Sequence, residues 1–159
     1  MDNKIEIWCD GGCRGNQSDE NIGAWGVYMV YKDHAKELSG GDINTTNNIM
    51  ELTACIEGLK VIKDKSIPTI VYLDSAYVLN GITNWIKGWK KNNWKTSKKQ
   101  PVLNRNLWIE LDTLKSLFDD ITFKKVKGHS DNFGNIQADR LCNEYMDKLE
   151  KEGLNVYNE

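Results

Sequence analysis

The stretch Thr69–Leu73 (TIVYL) restricts the possible folds of this chain more than any other feature. It is a nearly continuous run of apolar, β-prone residues, preceded by Pro68 and closed by Asp74. Such a run suits a strand covered on both faces, and that burial requires helices packed on the two sides of a sheet. Ile5 to Asp10 behaves differently. Ile5, Ile7 and Cys9 alternate with Glu6, Trp8 and Asp10, the period of a strand with two unlike faces, and Gly11-Gly12 after it is a turn signal. Ala24–Tyr31 (AWGVYMVY) reads as a second strand and His34–Gly41 as a third. Three strands so close in sequence suggest an antiparallel meander.

Helical periodicity follows. Leu52, Cys55, Ile56, Leu59 and Ile62 mark a helix over about Asn48–Lys63, with Asn47 or Asn48 as the cap. Ser75–Trp89 reads as a second helix, Leu107, Leu111, Leu114 and Leu117 stripe a third, and Ala138, Leu141, Cys142, Tyr145 and Leu149 a last one. Ile121–Val126 is the remaining strand, and residues after Glu150 are expected to fray. The sum is an α/β domain with a mixed sheet flanked by helices.

At 159 residues the chain fits one domain with a real core. No apolar run approaches the roughly 20 residues of a membrane span, and Met1–Asp10 lacks a secretory pattern, so the cytoplasm is the expected compartment. Cys9, Cys13, Cys55 and Cys142 form no CxxC pair, which argues for free thiols rather than a zinc site or disulfides. The net charge of −2 conceals an asymmetry. Ser75 to Ile109 contains no Asp or Glu but holds Lys87, Lys90, Lys91, Lys95, Lys98, Lys99 and Arg105, a block of +7 that leaves the remainder at −9. A basic block in an acidic chain suits a polyanion, although a solvated lysine-rich surface would have the same composition.

Asp10 and Asp74 each close a strand. If those strands run side by side and parallel, both carboxylates emerge at the carboxyl-end edge, where α/β sheets place their ligands. Glu51 and Asp139 sit beside the apolar stripes of their helices, near the helix starts. Each acid alone suits a strand-end turn or a helix N-terminus. Four gathered together would repel one another unless divalent cations neutralised them, and Mg²⁺ favours such hard oxygen ligands together with substrate phosphate.

Five segments carry a family resemblance: DGGCRGN (Asp10–Asn16), TTNNIMEL (Thr45–Leu52), YLDSAYVLNGITNW (Tyr72–Trp85), GWKKNNWKT (Gly88–Thr96) and VKGHSDNFGNIQADRL (Val126–Leu141). In order and spacing they resemble the type 1 ribonucleases H, over about residues 4 to 150. The resemblance implies a ribonuclease H-like fold, with a five-stranded mixed sheet whose strands 1-2-3 form an antiparallel meander and whose later strands are parallel. It implies a single catalytic domain over 1–150, with a basic handle at about 85–101 and a tail at 151–159. The implied activity is endonucleolytic hydrolysis of the RNA strand of an RNA–DNA hybrid by two Mg²⁺ ions, with Mn²⁺ as a substitute, leaving 5′-phosphate and 3′-hydroxyl ends. The expected assembly is a monomer.

By the same resemblance Asp10, Glu51, Asp74 and Asp139 would be the metal ligands, and His129 would assist proton transfer or product release. Tyr77, Trp85 and Trp89 would line a channel for the DNA strand, Lys90 and Lys91 would meet phosphates, and Thr46 and Asn104 would hold a DNA phosphate. Cys13, Asn16, Asn47 and Asn48 would reach the RNA 2′-hydroxyls, although Asn47 and Asn48 serve equally as helix caps. Trp94 is expected only to pack the handle onto the body. Three departures from the family pattern stand out: Ala76 where relatives often carry a larger side chain, Asn44 in place of an arginine, and the polar segment Gln17–Asn21. The rival readings are a nucleic-acid-binding module that has lost catalysis, which the four retained acids disfavour, and a strand-transfer enzyme on the same fold.

Overall fold

The computed structural model describes residues 3–15, 21–126 and 132–158, with side chains described to Glu152. Strands β1 (Ile5–Gly15), β2 (Asn21–Tyr31) and β3 (His34–Ile43) form the antiparallel meander, and β4 (Thr69–Leu73) and β5 (Ile121–Lys125) complete a five-stranded sheet ordered β3-β2-β1-β4-β5. β4 pairs parallel with both β1 and β5. Helices α1 (Asn47–Lys60) and α4 (Arg105–Ser116) enclose the main core with one face of the sheet, where Ile7, Val27, Leu52, Leu59, Val71 and Trp108 are fully buried. Helix α5 (Phe133–Asn158) covers the other face through Ala24, Cys142 and Met146. No helix among the described residues is long and apolar enough to cross a membrane.

Several boundaries differ from the sequence expectation. β1 does not turn at Gly11-Gly12. It stays paired with β2 from Gly11↔Trp25 to Gly15↔Asn21, so those glycines lie within a strand. The cap of α1 is Thr46, whose Oγ1 accepts from the Ile49 amide at 3.1 Å, and the helix ends at Lys60 rather than Lys63. The backbone of α5 remains helical to Asn158, past Glu150 where fraying was expected.

The region expected as one helix over Ser75–Trp89 is three pieces: α2 (Ala76–Asn80), a π-helical turn (Gly81–Trp85) and α3 (Ile86–Lys91). The widened turn leans on Trp108, and a Cβ at Gly81 would fall 2.0 Å from that indole. A π turn inserts a residue and rotates everything beyond it, a change that apolar periodicity does not register. All four cysteines are free thiols, with Cys9, Cys55 and Cys142 buried.

Candidate functional site

Parallel register decides where the strand-end acids lie. Cys9 is level with Leu73, so Asp10 and Asp74 leave adjacent strands at the same edge. Two glycines then bring helices onto Asp10. At Gly11 a Cβ would stand 2.5 Å from the backbone of Met50 and Glu51, so only glycine admits the first turns of α1 there. Gly26, the β2 partner of Asp10, would place a Cβ 2.3 Å from the Ala138 carbonyl and 2.9 Å from the Cys142 amide. That absence of a side chain seats α5, and with it Asp139, over Asp10. Gly26 went unnoticed in the sequence because its role depends on a helix more than a hundred residues away.

Asp10, Glu51 and Asp139 line one cleft of about 310 Å³ together with Cys13, Arg14, Asn47, Cys142 and Asn143. Burial, a hydrogen bond with Asp139, and the charges of Asp139 and Glu51 push the Asp10 carboxyl up to about 8, against a smaller opposing effect of the Gly11 amide, which donates to Asp10 Oδ1 at 2.9 Å. Glu51 is pushed up to about 7, first by burial and then by Asp74, while a hydrogen bond from Ser75 and the charge of Lys125 oppose the shift. Asp74 thus meets the group through Glu51 and is not among the residues lining the cleft. The Cys142 thiol is raised to about 12, by burial and then by Asp10 and Asp139.

Among the described residues no three His, Cys, Asp or Glu side chains form a ready metal cage, although Asp10 feels the charges of both Asp139 and Glu51, and Glu51 that of Asp74. The donor set nevertheless fits a hard divalent cation. It is all carboxylate oxygen, and neighbouring acids raise the proton affinity of Asp10 and Glu51. The basic group in the cleft, Arg14, is committed to Asp147 at 2.7 Å and Glu150 at 3.1 Å. Ser75 and Lys125 escaped the sequence reading. Ser75 Oγ accepts from the Val78 amide as the cap of α2 while its hydroxyl serves Glu51, and Lys125 Nζ donates to the Asp74 carbonyl at 3.0 Å. Their only sequence signal is position, directly after Asp74 and at the end of a strand level with Leu73.

A second feature is aromatic. Trp85, Trp89 and Tyr77 form a connected wall with Trp108 behind it, with centroid separations of 6.0 Å for Tyr77–Trp85 and Trp85–Trp89 and 5.2 Å for Trp89–Trp108. Tyr77 Oη accepts from Trp108 Nε1 at 3.1 Å and Asn104 Nδ2 at 3.2 Å, which fixes the phenol. Asn104 adopts a left-handed conformation ahead of α4. Trp85 is 43% exposed, so its indole is available to a ligand. Trp94 packs against Trp89 at 6.4 Å. Lys90 pairs with Asp112 at 3.1 Å, while Lys91 is exposed. Thr46 and Asn47 are exposed and Asn48 is half-buried at the start of α1. His129 and Asn16 lie outside the described residues.

Residues 2–147 match the family profile described as RNase H. The chain is 50% identical over 147 residues to the Ribonuclease H of Ruthia magnifica subsp. Calyptogena magnifica, spanning 92% of this chain and 98% of that protein. It is 49% identical over 143 residues to the Ribonuclease HI of Neisseria meningitidis serogroup B, spanning 90% and 95% respectively. The crystal structure of LC9-RNase H1, described as a type 1 RNase H with the type 2 active-site motif, superposes with a TM-score of 0.80 at 25% identity, over 92% of this chain and 73% of that one. LC11-RNase H1, solved in complex with RNA/DNA hybrid, shares the fold at a TM-score of 0.65 and 24% identity, over 91% and 98%. With one sheet order, one parallel register and near half-identity over almost the whole length, this chain belongs to the type 1 ribonuclease H family.

Proposed function

We propose that this chain is a metal-dependent endoribonuclease that hydrolyses the RNA strand of RNA–DNA hybrids, leaving 5′-phosphate and 3′-hydroxyl ends. The observation that carries this reading is the cleft where Asp10, Glu51 and Asp139 meet at the sheet edge, with Asp74 reaching the group through Glu51. Asp10, Glu51, Asp74 and Asp139 would hold Mg²⁺, two ions when substrate is bound, with Mn²⁺ as a substitute. When bound, these ions supply charge neutralisation at the scissile phosphate and acidify the attacking water.

The protein's own groups prepare the site. Burial and neighbouring acids raise the proton affinity of Asp10 and Glu51, so a cation that binds them competes with protons. Ser75 orients Glu51, and Lys125 holds the backbone of Asp74. His129 is assigned to proton transfer or product release, because an imidazole is the side chain whose unperturbed charge change falls near neutral pH.

Substrate grip divides between the two strands. Cys13, Asn16, Asn47 and Asn48 are assigned to the RNA 2′-hydroxyls, which a protein reads across the shallow minor groove of a hybrid. The aromatic wall of Tyr77, Trp85 and Trp89 offers surfaces on which sugars or bases stack, and Lys90 and Lys91 add phosphate contacts. Thr46 and Asn104 are assigned to one DNA phosphate. The catalytic domain is assigned to residues 1–150 with the handle at 85–101, acting as a cytoplasmic monomer.

The test compares end-labelled RNA–DNA hybrid, double-stranded RNA and double-stranded DNA, each with Mg²⁺ and with chelator. Cleavage confined to the RNA of the hybrid and dependent on Mg²⁺ is expected. Equal cutting of double-stranded RNA, or cutting unaffected by chelator, would overturn the assignment.

A further inference from the structure

Arg14 lines the acidic cleft from the far end of β1, but its guanidinium is spent on α5. Nη1 donates to Asp147 Oδ1 at 2.7 Å and to Glu150 Oε1 at 3.1 Å, and Nη2 donates to Asn143 Oδ1 at 3.2 Å. Asn143 passes the contact on, because its Nδ2 donates to the Asp139 carbonyl at 3.0 Å, one helical turn earlier. A hydrogen-bonded path therefore runs from the end of β1 through Arg14 and Asn143 to the backbone of Asp139.

We propose that Arg14 and Asn143 form a positioning latch that holds the Asp139 turn of α5 in cation-binding register with Asp10, a role that rests on the assignment of Asp139 as a metal ligand. The close approach at Gly26 and the apolar face seat α5, and the latch adds a polar tie to that seating. Ala138, Leu141, Cys142 and Met146 fix how deeply α5 sits on the sheet, whereas Asp139 lies on the exposed side of the same turn. Arg140 supplies a second tie on the opposite flank, reaching Glu37 on β3 and Glu144 on its own helix. The Arg14 tie is the one that enters the cleft. Groups behind a metal ligand commonly alter affinity by 10- to 100-fold when removed.

Electrostatics and positioning predict opposite signs, which makes the latch testable. A guanidinium beside a cation site repels the cation, so an Arg14 acting through its charge would tighten metal binding when removed. A latch predicts weaker binding. Mn²⁺ alone is titrated into the full chain by calorimetry, without substrate, with melting in chelator as the control for folding. Arg14→Met and Asn143→Ala should each weaken Mn²⁺ binding about tenfold, the double variant should be no weaker than the worse single one, and Arg14→Lys should recover part of the loss. Asn143→Ala changes no charge and improves helix propensity, so it carries the test if Arg14→Met fails to fold. Unchanged or tighter Mn²⁺ binding in a folded Arg14→Met, or unchanged binding in Asn143→Ala, would overturn the latch. Asp139→Asn separates the two levels: if it binds Mn²⁺ like the parent, the ligand assignment of Asp139 fails, and the latch falls with it.

Discussion

Replacing Asp10 with asparagine should stabilise the metal-free protein while abolishing its capture of divalent cations. The carboxyl of Asp10 is raised from 3.8 to about 8, by burial first and then by the neighbouring acids. Because the folded-state value lies above the unfolded one, the protonated form contributes stability that is fully present below about pH 4 and lost as pH rises through about 8. Four units at 1.36 kcal/mol each set a ceiling of about 5–6 kcal/mol above pH 8. The group is only partly buried, and water admitted around the ionised acid discounts that figure to about 2–3 kcal/mol. An asparagine keeps the donor that the protonated acid offers Asp139 and removes the charge. In chelator at pH 8 the variant should therefore melt roughly 5–10 °C higher than the parent, with the gap closing towards pH 4. Glu51, raised to about 7, acts with the same sign in both proteins and leaves a smaller residual slope in the variant. Mg²⁺ should raise the melting temperature of the parent more at pH 8 than at pH 6 and that of the variant little at either. Calorimetric melts across pH 4–9, with and without Mg²⁺, read all of this. An Asp10→Asn protein that melts at or below the parent at pH 8 in chelator, or by a margin independent of pH, would refute the account of a carboxylate destabilised by burial and by its neighbouring acids.

Gly26→Ala drives a methyl group into the backbone of Ala138 and Cys142, so α5 must shift; urea denaturation should show a loss of about 1–3 kcal/mol, and Mn²⁺ affinity should fall with it. Hybrid binding measured at several salt concentrations in an Asp10→Asn background should lose about one unit of log–log slope for Lys91→Ala; Lys90→Ala should lose less, because Lys90 already neutralises Asp112. Trp85→Ala should weaken hybrid binding by about 1–3 kcal/mol while leaving the melting temperature nearly unchanged, since its indole is 43% exposed. Equal losses of binding and stability would instead make Trp85 a structural residue.

The legible parts of this chain were those whose signal is local. Thr69–Leu73 is a strand as its apolar run suggests, although only Thr69, Val71 and Leu73 are buried and Ile70 and Tyr72 on its other face are half-buried; the apolar faces of α1 and α5 follow their stripes because burial acts on neighbouring turns directly. The placement of Asp10 and Asp74 at one edge followed from strand ends once the strands were parallel. Less legible were features set by partners distant in sequence. Gly11-Gly12 reads as a turn when only neighbours are considered, yet these residues continue a strand that pairs with β2. The π turn at Gly81–Trp85 depends on Trp108, and the pairing of Lys90 with Asp112 on a helix beyond the handle.

By itself the sequence determined the mixed α/β class, the order of the elements, the acids available for chemistry and the charge asymmetry that favours a polyanion. Only the tertiary structure decided how those acids meet: Asp10 with Asp139 and Glu51, Glu51 with Asp74, and Arg14 tied to α5 at the side of the cleft. The physical reason is range. Burial and helical periodicity act between residues a few positions apart and leave a pattern in the chain, whereas the approach of α1 and α5 to β1 rests on single missing methyl groups at Gly11 and Gly26, whose significance exists only once the helices arrive.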